Sequence, residues 1–156
     1  MSSLEAILSS AEGKEKEYDW LGAAESYKNA LGLVPEQDSL RMSEVHERLG
    51  YTLHRFAFQA ESNDEFRQRL HQSILSYEKS KELYGRLNES VKMPRMLRCD
   101  GLITYLNHWL AVEAGEKKRL LDECWRLTKD ALKAFEEVED ALEYGKRTTN
   151  SPQALF

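Results

Sequence analysis

The sequence predicts an all-α protein, a stack of three antiparallel helical hairpins. Composition favours helices, because Glu, Lys, Leu and Ala are frequent while the 156 residues include only 3 prolines and 8 glycines. Apolar residues recur every three or four positions in six segments, which is the period of amphipathic helices. Short polar connections separate these segments, and short connections place consecutive helices side by side in opposite directions.

The first predicted hairpin joins helix 1, residues 3–16, to helix 2, which begins after a tight turn near Tyr18 and Asp19. Pro35 ends helix 2 because proline cannot continue a helix. The apolar faces comprise Leu4, Ile7, Leu8 and Ala11 in helix 1, and Trp20, Ala23, Ala24, Tyr27, Leu31 and Val34 in helix 2.

The other two predicted hairpins are longer. Helix 3 covers about residues 40–60, and helix 4 begins at the capping turn 62–65 and extends to about Leu87. Helix 5, about 94–113, is the most apolar, and helix 6 runs from near Glu116 to Glu143 or Tyr144. We therefore expect one domain over residues 1–143, followed by a mobile tail over residues 144–156, which have no core pattern.

The hairpins share a weak internal repeat. The second helices carry a small residue, an aromatic residue and a small residue at fixed spacing, and two first helices carry a glycine at corresponding positions. These residues are Ala23, Tyr27 and Ala30 before Pro35; Ser73, Tyr77 and Ser80 before Gly85; and Gly50, after Leu49, with its counterpart Gly101. Small residues let two helices approach closely, and the aromatic residue fills the space between hairpins.

This pattern resembles the tetratricopeptide repeat over residues 4 to about 140. The resemblance implies a right-handed superhelix of hairpins that binds other proteins. Two features depart from the family: the units are about 50 residues apart instead of about 34, and the third unit has Thr128 where the aromatic residue is expected. A plain up-and-down helical bundle is the alternative.

Composition and motifs exclude several functions. A net charge of −5 argues against nucleic-acid binding, and no apolar run is long enough to span a membrane. The first ten residues lack the features of a signal peptide, so we expect a cytoplasmic protein whose two cysteines, Cys99 and Cys124, are free thiols. Motifs for metals, nucleotides and activated nucleophiles are absent, which predicts a non-enzymatic protein without catalytic residues, metal or cofactors.

A protein-binding groove is the remaining candidate site. In a stack of hairpins the first helices line the concave side, which solenoids use for partners. Helix 3 would contribute Glu44, Glu47, Tyr51, His54 and Arg55, and helix 5 would contribute Arg95, Arg98, Leu102, Tyr105 and Leu106. Aromatic and arginine side chains dominate interface energetics, which makes Tyr51, His54, Arg55, Arg95, Arg98 and Tyr105 the candidate partner-binding residues. The basic segment 92–98 suggests an acidic peptide or a terminal carboxylate as the ligand, although it also fits a solvated helix face.

The sequence thus predicts an adaptor or scaffold that binds a partner peptide or helix. One alternative is an accessory or regulatory domain of a larger signalling or enzyme assembly. Another is a helical small-ligand binder with a pocket near Tyr105 and His108. Because helix 6 carries Trp125 and no capping helix follows, we also expect an exposed apolar end that would favour a homodimer.

Overall fold

The computed structural model describes the backbone of residues 2–150 and the side chains of residues 2–141. It contains six helices: α1 (Ser3–Lys16), α2 (Trp20–Leu31), α3 (Ser39–Ala57), α4 (Asn63–Tyr84), α5 (Lys92–Leu110) and α6 (Ala114–Asn150). The described chain contains no strand, so the prediction of an all-helical protein is confirmed. None of the described helices combines the length and apolar character needed to cross a membrane.

The helix boundaries follow the capping chemistry of the sequence. The side chains of Ser2, Asp19, Asp38 and Ser62 each accept a hydrogen bond from a backbone N–H in the first turn of α1, α2, α3 and α4 respectively. α1 has its predicted boundaries. α5 begins before Pro94 rather than at it, because the N–H groups of a first turn have no intrahelical acceptor and proline costs nothing there.

The predicted ends of several helices were wrong. α2 ends at Leu31, α3 at Ala57, α4 at Tyr84 and α5 at Leu110, each about three residues earlier than the apolar pattern indicated. Val34 explains one of these errors, since it lies beyond α2 yet is buried in the core. The backbone of α6 continues to Asn150, past the predicted end at Glu143 or Tyr144. The rest of the predicted tail, residues 151–156, lies outside the described residues.

The core consists of two clusters, each of which joins three consecutive helices. The first packs Tyr27 and other residues of α1 and α2 against Val45, Leu49 and Leu53 of α3. The second packs Leu70, Ile74 and Tyr77 of α4 against Ala57 of α3 and Leu106 of α5. In the described chain, extensive contacts join only helices that are consecutive in sequence.

Close helix approaches occur at the two predicted glycines. A Cβ atom on Gly50 would lie 3.0 Å from the ring of Tyr77, which is completely buried, and the Ser73 hydroxyl donates to the Gly50 carbonyl at 2.6 Å. A Cβ atom on Gly101 would lie 3.3 Å from the Thr128 hydroxyl. Gly50 therefore allows α3 and α4 to approach, and Gly101 does the same for α5 and α6.

A three-residue polar contact occurs twice in the structure, each time among three consecutive helices. In the first copy, Glu15 of α1 accepts hydrogen bonds from the Tyr27 hydroxyl of α2, at 2.8 Å, and from Arg48 of α3. In the second, Glu47 of α3 accepts from the Tyr84 hydroxyl of α4 and from Arg98 of α5.

The first of these Glu–Tyr–Arg contacts connects α1, α2 and α3, and the second connects α3, α4 and α5. The spacing of the residues in the sequence did not reveal this correspondence. Each carboxylate neutralises a partly buried arginine and satisfies a tyrosine hydroxyl that burial would otherwise leave unpaired.

Candidate functional site

A cluster of aromatic rings surrounds an open hollow where α2, α3 and α5 meet. This aromatic hollow has a volume of about 620 Å³ and is lined by Tyr18, Trp20, Tyr51, His54, Arg55, Phe58, Gln59 and Tyr105. Its lining comes from the turn before α2, from one face of α3 and from the middle of α5. Residues far apart in sequence thus form one surface.

Neighbouring rings of the aromatic hollow contact one another from one helix to the next. Trp20 meets Tyr51 edge to face, with ring centres 5.8 Å apart, and His54 lies 5.9 Å from Tyr105. Phe58 continues the contacts to Trp109, at 5.3 Å. Such arrangements are favourable beyond the area they bury, so the rings hold one another in place.

The Tyr18 backbone at the edge of the hollow is strained. Tyr18 is the only described non-glycine residue with a positive φ, 62°, and it follows the C-terminal end of α1, where glycine is preferred. Its side chain is 69% exposed, and its ring meets the edge of Trp20 at 6.2 Å. The exposed Tyr18 side chain adds little to core packing, and its backbone conformation costs about 1 kcal/mol of strain.

The structure brings together four of the six predicted site residues: Tyr51, His54, Arg55 and Tyr105 line the aromatic hollow. The other two do not line it. Arg95 lies over the Tyr84 ring and 3.7 Å from the Glu44 carboxylate, and Arg98 forms an ion pair with Glu47 at 2.6 Å.

Leu106, which the helical projection placed in the groove, is completely buried in the core instead. The hollow is also lined by four residues that the sequence did not predict for it: Tyr18, Trp20, Phe58 and Gln59. Trp20 has the periodicity of a core residue and is in fact buried, so only its contact with Tyr51 reveals that it forms a wall of the hollow.

A second, polar hollow of about 380 Å³ adjoins the first and shares Trp20 and Tyr51 with it. Its other lining residues are Glu12, Glu15, Lys16 and Arg48. The guanidinium of Arg48 lies 4.7 Å from the centre of the Tyr51 ring. We call the aromatic and polar hollows together the groove; it passes from charged residues of α1 to aromatic residues of α3 and α5.

On the far side of Tyr105, a smaller apolar hollow of about 290 Å³ lies between α5 and α6. Its walls are Arg98, Gly101, Leu102, Tyr105, Cys124, Thr128, Ala131, Leu132 and Phe135. Nearly all the lining is hydrocarbon, so this hollow can accept apolar side chains and offers little to a charged group. His108 does not line it, and its ring nitrogen Nδ1 lies 3.2 Å from the backbone carbonyl of Lys117.

The Cys99 thiol is buried in the core and does not line the groove. Burial raises the pKa of the Cys99 thiol to about 12, so this side chain stays protonated and unreactive near neutral pH. In the described part of the chain, no three His, Cys, Asp or Glu side chains lie close enough to hold a metal ion. The groove places aromatic rings beside arginine side chains, which are residue types enriched at the energetically important positions of protein interfaces.

His54 makes stability depend on pH. Burial among aromatic rings, and secondarily the Arg55 charge, lower the pKa of His54 from 6.5 to about 4. The unfolded chain therefore binds a proton at higher pH than the folded chain does. The stability from neutral His54 is complete above pH 6.5 and is lost as the pH falls from there to about 4. We expect this loss to approach about 3 kcal/mol in the free energy of unfolding.

Urea unfolding at several pH values measures this effect, with His54→Phe as the comparison. Phenylalanine keeps an aromatic ring among Tyr51, Phe58 and Tyr105 but cannot titrate. The variant should lose much less stability than the wild type between pH 6.5 and pH 5. Parallel pH profiles for the two proteins would show that His54 is not the titrating group.

Comparisons of this chain with protein-family models, with curated proteins and with solved structures found no match. The geometry of the groove is therefore the basis for a functional assignment.

Proposed function

We propose that this protein is a non-enzymatic interaction module that binds a segment of a partner protein in the groove. The observation that carries the proposal is the aromatic hollow, in which rings contributed by α2, α3, α5 and the segments beside them surround a space large enough for several partner side chains. Buried aromatic anchors are the commonest source of binding energy at protein interfaces. The proposal extends to an adaptor or scaffold role.

The repeat architecture supports this assignment. We propose that the six helices form three hairpins stacked as a tetratricopeptide-like superhelix, because contacts join consecutive helices and the Glu–Tyr–Arg contact occurs at both hairpin junctions. Gly50 and Gly101 permit the close helix approaches that the resemblance implies. In such a stack the first helices of successive hairpins present one continuous surface, which is where the groove lies.

The chemistry of the groove indicates the kind of segment that fits. Arg55 is exposed, and its guanidinium lies 5.0 Å from the centre of the Trp20 ring at the edge of the aromatic hollow. A partner carboxylate can reach this guanidinium while a neighbouring aromatic or aliphatic side chain enters the hollow. The favoured ligand is thus an acidic segment with at least one bulky apolar residue.

A displayed peptide library provides a defined probe for this proposal. Peptides selected on the wild-type protein should combine acidic and bulky apolar residues. Their affinity should fall at least tenfold for Arg55→Glu and for Tyr105→Ala. The control is Leu75→Ala, which removes an exposed apolar side chain of α4 that does not line the groove and should leave affinity unchanged. Equal binding by all four proteins would overturn the groove assignment.

Substitution of Tyr18 distinguishes a role in binding from a role in stabilising the fold. Replacing it with glycine removes the backbone strain at φ 62°, so Tyr18→Gly should raise the free energy of unfolding by up to about 1 kcal/mol. The same change removes one wall of the aromatic hollow and should weaken peptide binding severalfold. Thermal unfolding and a binding titration on one preparation measure both effects. A variant that is less stable but binds normally would show that Tyr18 serves the fold.

A further inference from the structure

The apolar hollow between α5 and α6 lies where an aromatic ring of α4 has no counterpart in α6. In α4 the ring of Tyr77 rests against α3 at Gly50, where a Cβ atom would lie 3.0 Å from it, and the ring is completely buried. Both residues have counterparts 51 positions later in the chain, Gly101 and Thr128, which also touch: a Cβ atom on Gly101 would lie 3.3 Å from the Thr128 hydroxyl. The glycine is kept and the ring is replaced by a smaller side chain, so part of this space is open as the apolar hollow.

The apolar hollow has the size and the access that a ring from another molecule needs. Its volume of about 290 Å³ exceeds the roughly 150 Å³ of a cavity that binds benzene. In the described chain α6 has extensive contacts only with α5, whereas Tyr77 of α4 is covered by Leu106 of α5. The wall residue Leu132 is accordingly 59% exposed, and a side chain from another molecule can enter beside it.

The charges around the apolar hollow favour a neutral occupant. Arg98 is the one charged residue in its lining, and an ion pair with Glu47, at 2.6 Å, already neutralises this guanidinium. The lining also contains the rings of Tyr105 and Phe135, and contacts between aromatic rings are favourable beyond the area they bury. We therefore expect an uncharged aromatic side chain in this hollow, in contrast to the carboxylate expected at Arg55.

The apolar hollow continues the groove across Tyr105. This side chain lines the aromatic hollow on one side and the apolar hollow on the other. The polar and aromatic hollows share Trp20 and Tyr51 in the same way. A partner segment bound in the aromatic hollow therefore reaches the apolar hollow by crossing one side chain, which makes the same segment the source of the ring.

The width of Tyr105 sets the spacing of the two partner side chains. Carbon atoms in contact are about 3.5–4.0 Å apart, so side chains that touch opposite sides of the Tyr105 ring lie about 7–8 Å apart. In an extended segment, side chains two positions apart lie on one face at a distance of about 7 Å, whereas adjacent side chains lie on opposite faces. An extended segment thus matches the two hollows with side chains two positions apart.

We propose that the partner segment carries two anchors two positions apart: a bulky apolar residue that enters the aromatic hollow and an aromatic residue that enters the apolar hollow. This inference rests on the proposed function, because the segment that the groove binds supplies both anchors. Tyr105 lies between the anchors and contacts each of them, and the acidic residue of the segment remains at Arg55. The apolar hollow thereby selects, among acidic segments, those that carry the second, aromatic anchor.

Peptides selected on the wild-type protein from a displayed library test this inference. They should carry an aromatic residue two positions from another bulky apolar residue, and replacing that aromatic residue with alanine should weaken binding at least tenfold in a fluorescence-anisotropy titration. Thr128→Tyr places a ring at the position corresponding to Tyr77 and fills the apolar hollow, so it should weaken the intact peptide at least tenfold. The alanine peptide has no second anchor and should bind the variant and the wild type equally.

The matched control is Leu75→Tyr. It introduces the same ring at an exposed position of α4 that lines none of the three hollows, and it should leave both affinities unchanged. Thr128→Tyr should melt at or above the wild-type temperature, because the new ring has a hollow to fill. A lower melting temperature would show that the hollow has no room for a ring, which overturns the inference.

Arg55→Glu separates failure of this inference from failure of the proposed function. If Arg55→Glu weakens the selected peptides and Thr128→Tyr does not, the groove binds them with one anchor and the second anchor is wrong. If neither variant weakens them, the proposed function fails and the inference fails with it. If Thr128→Tyr leaves peptide affinity unchanged but abolishes self-association in sedimentation, a second copy occupies the hollow and the inference is also wrong.

The spacing is tested on the same peptide by moving the aromatic residue. Peptides that carry it one, two, three or four positions from the first anchor should bind most tightly at two positions, by at least fivefold. Equal affinities at all four spacings would show that the two anchors do not lie on either side of Tyr105.

Discussion

Gly50→Val should lower the free energy of unfolding by about 2–3 kcal/mol, because the new side chain has no space. A Cβ atom at this position already lies 3.0 Å from the Tyr77 ring, and Tyr77 is completely buried against α5. Either α3 and α4 separate or the Tyr77 ring moves, and both responses disrupt the second core cluster. For a chain of this length the melting temperature should fall by about 4–12 °C.

The matched control is the same substitution at Gly13. This glycine is exposed within α1, and a Cβ atom there would have no neighbour within 4 Å. Valine has a better helix propensity than glycine, so Gly13→Val should change stability by less than about 0.5 kcal/mol and in the favourable direction. Thermal unfolding of the two variants separates helix propensity from packing. If Gly50→Val and Gly13→Val have the same melting temperature, α3 and α4 are not in close contact at Gly50.

Glu47→Ala should destabilise the protein by about 2–3 kcal/mol, since it removes one carboxylate that two side chains share. The Tyr84 hydroxyl and the Arg98 guanidinium would both lose their acceptor, and Tyr84 is almost completely buried. The cost is below that of a fully buried ion pair because Arg98 keeps 39% of its side-chain exposure and can be solvated. Chemical denaturation measures the change.

Substitutions of two further glutamates provide a comparison for the loss of stability expected of Glu47→Ala. Glu15→Ala disrupts the corresponding contact among α1, α2 and α3 and should cost about 1–2 kcal/mol, because Arg48 is more exposed, at 49%. Glu82→Ala removes exposed ion pairs with Lys79 and Arg86 at the C-terminal end of α4 and should change stability by less than about 0.5 kcal/mol. Equal losses for all three variants would mean that the junction contacts stabilise the fold no more than a surface ion pair does.

The helices of this protein could be predicted because their signals are local. Apolar periodicity and caps such as Ser62 depend on residues within a few positions, and proline and glycine restrict where helices stop. The glycines that permit close packing were also recognisable from their spacing. The ends were less accurate because residues such as Val34 join the core after the helix has finished.

The composition of the groove could be predicted only in part, because it depends on contacts between distant residues. Tyr51, His54 and Arg55 share a face of α3, which periodicity shows. Whether Arg98 faces a ligand or a carboxylate depends on Glu47, which lies on a different helix and has no spacing relation that sequence could reveal. Tyr18 was likewise missed, since its unusual φ results from how α1 ends.

The packing of each helix on its neighbours in sequence affects how the chain folds. Because helices pack on their neighbours in sequence, few long loops must close, which favours rapid folding. The first core cluster draws only on residues between Leu4 and Leu53. On the ribosome, that cluster can therefore assemble while α5 and α6 are still being synthesised, so the N-terminal part of the groove wall can form before Tyr105 completes it.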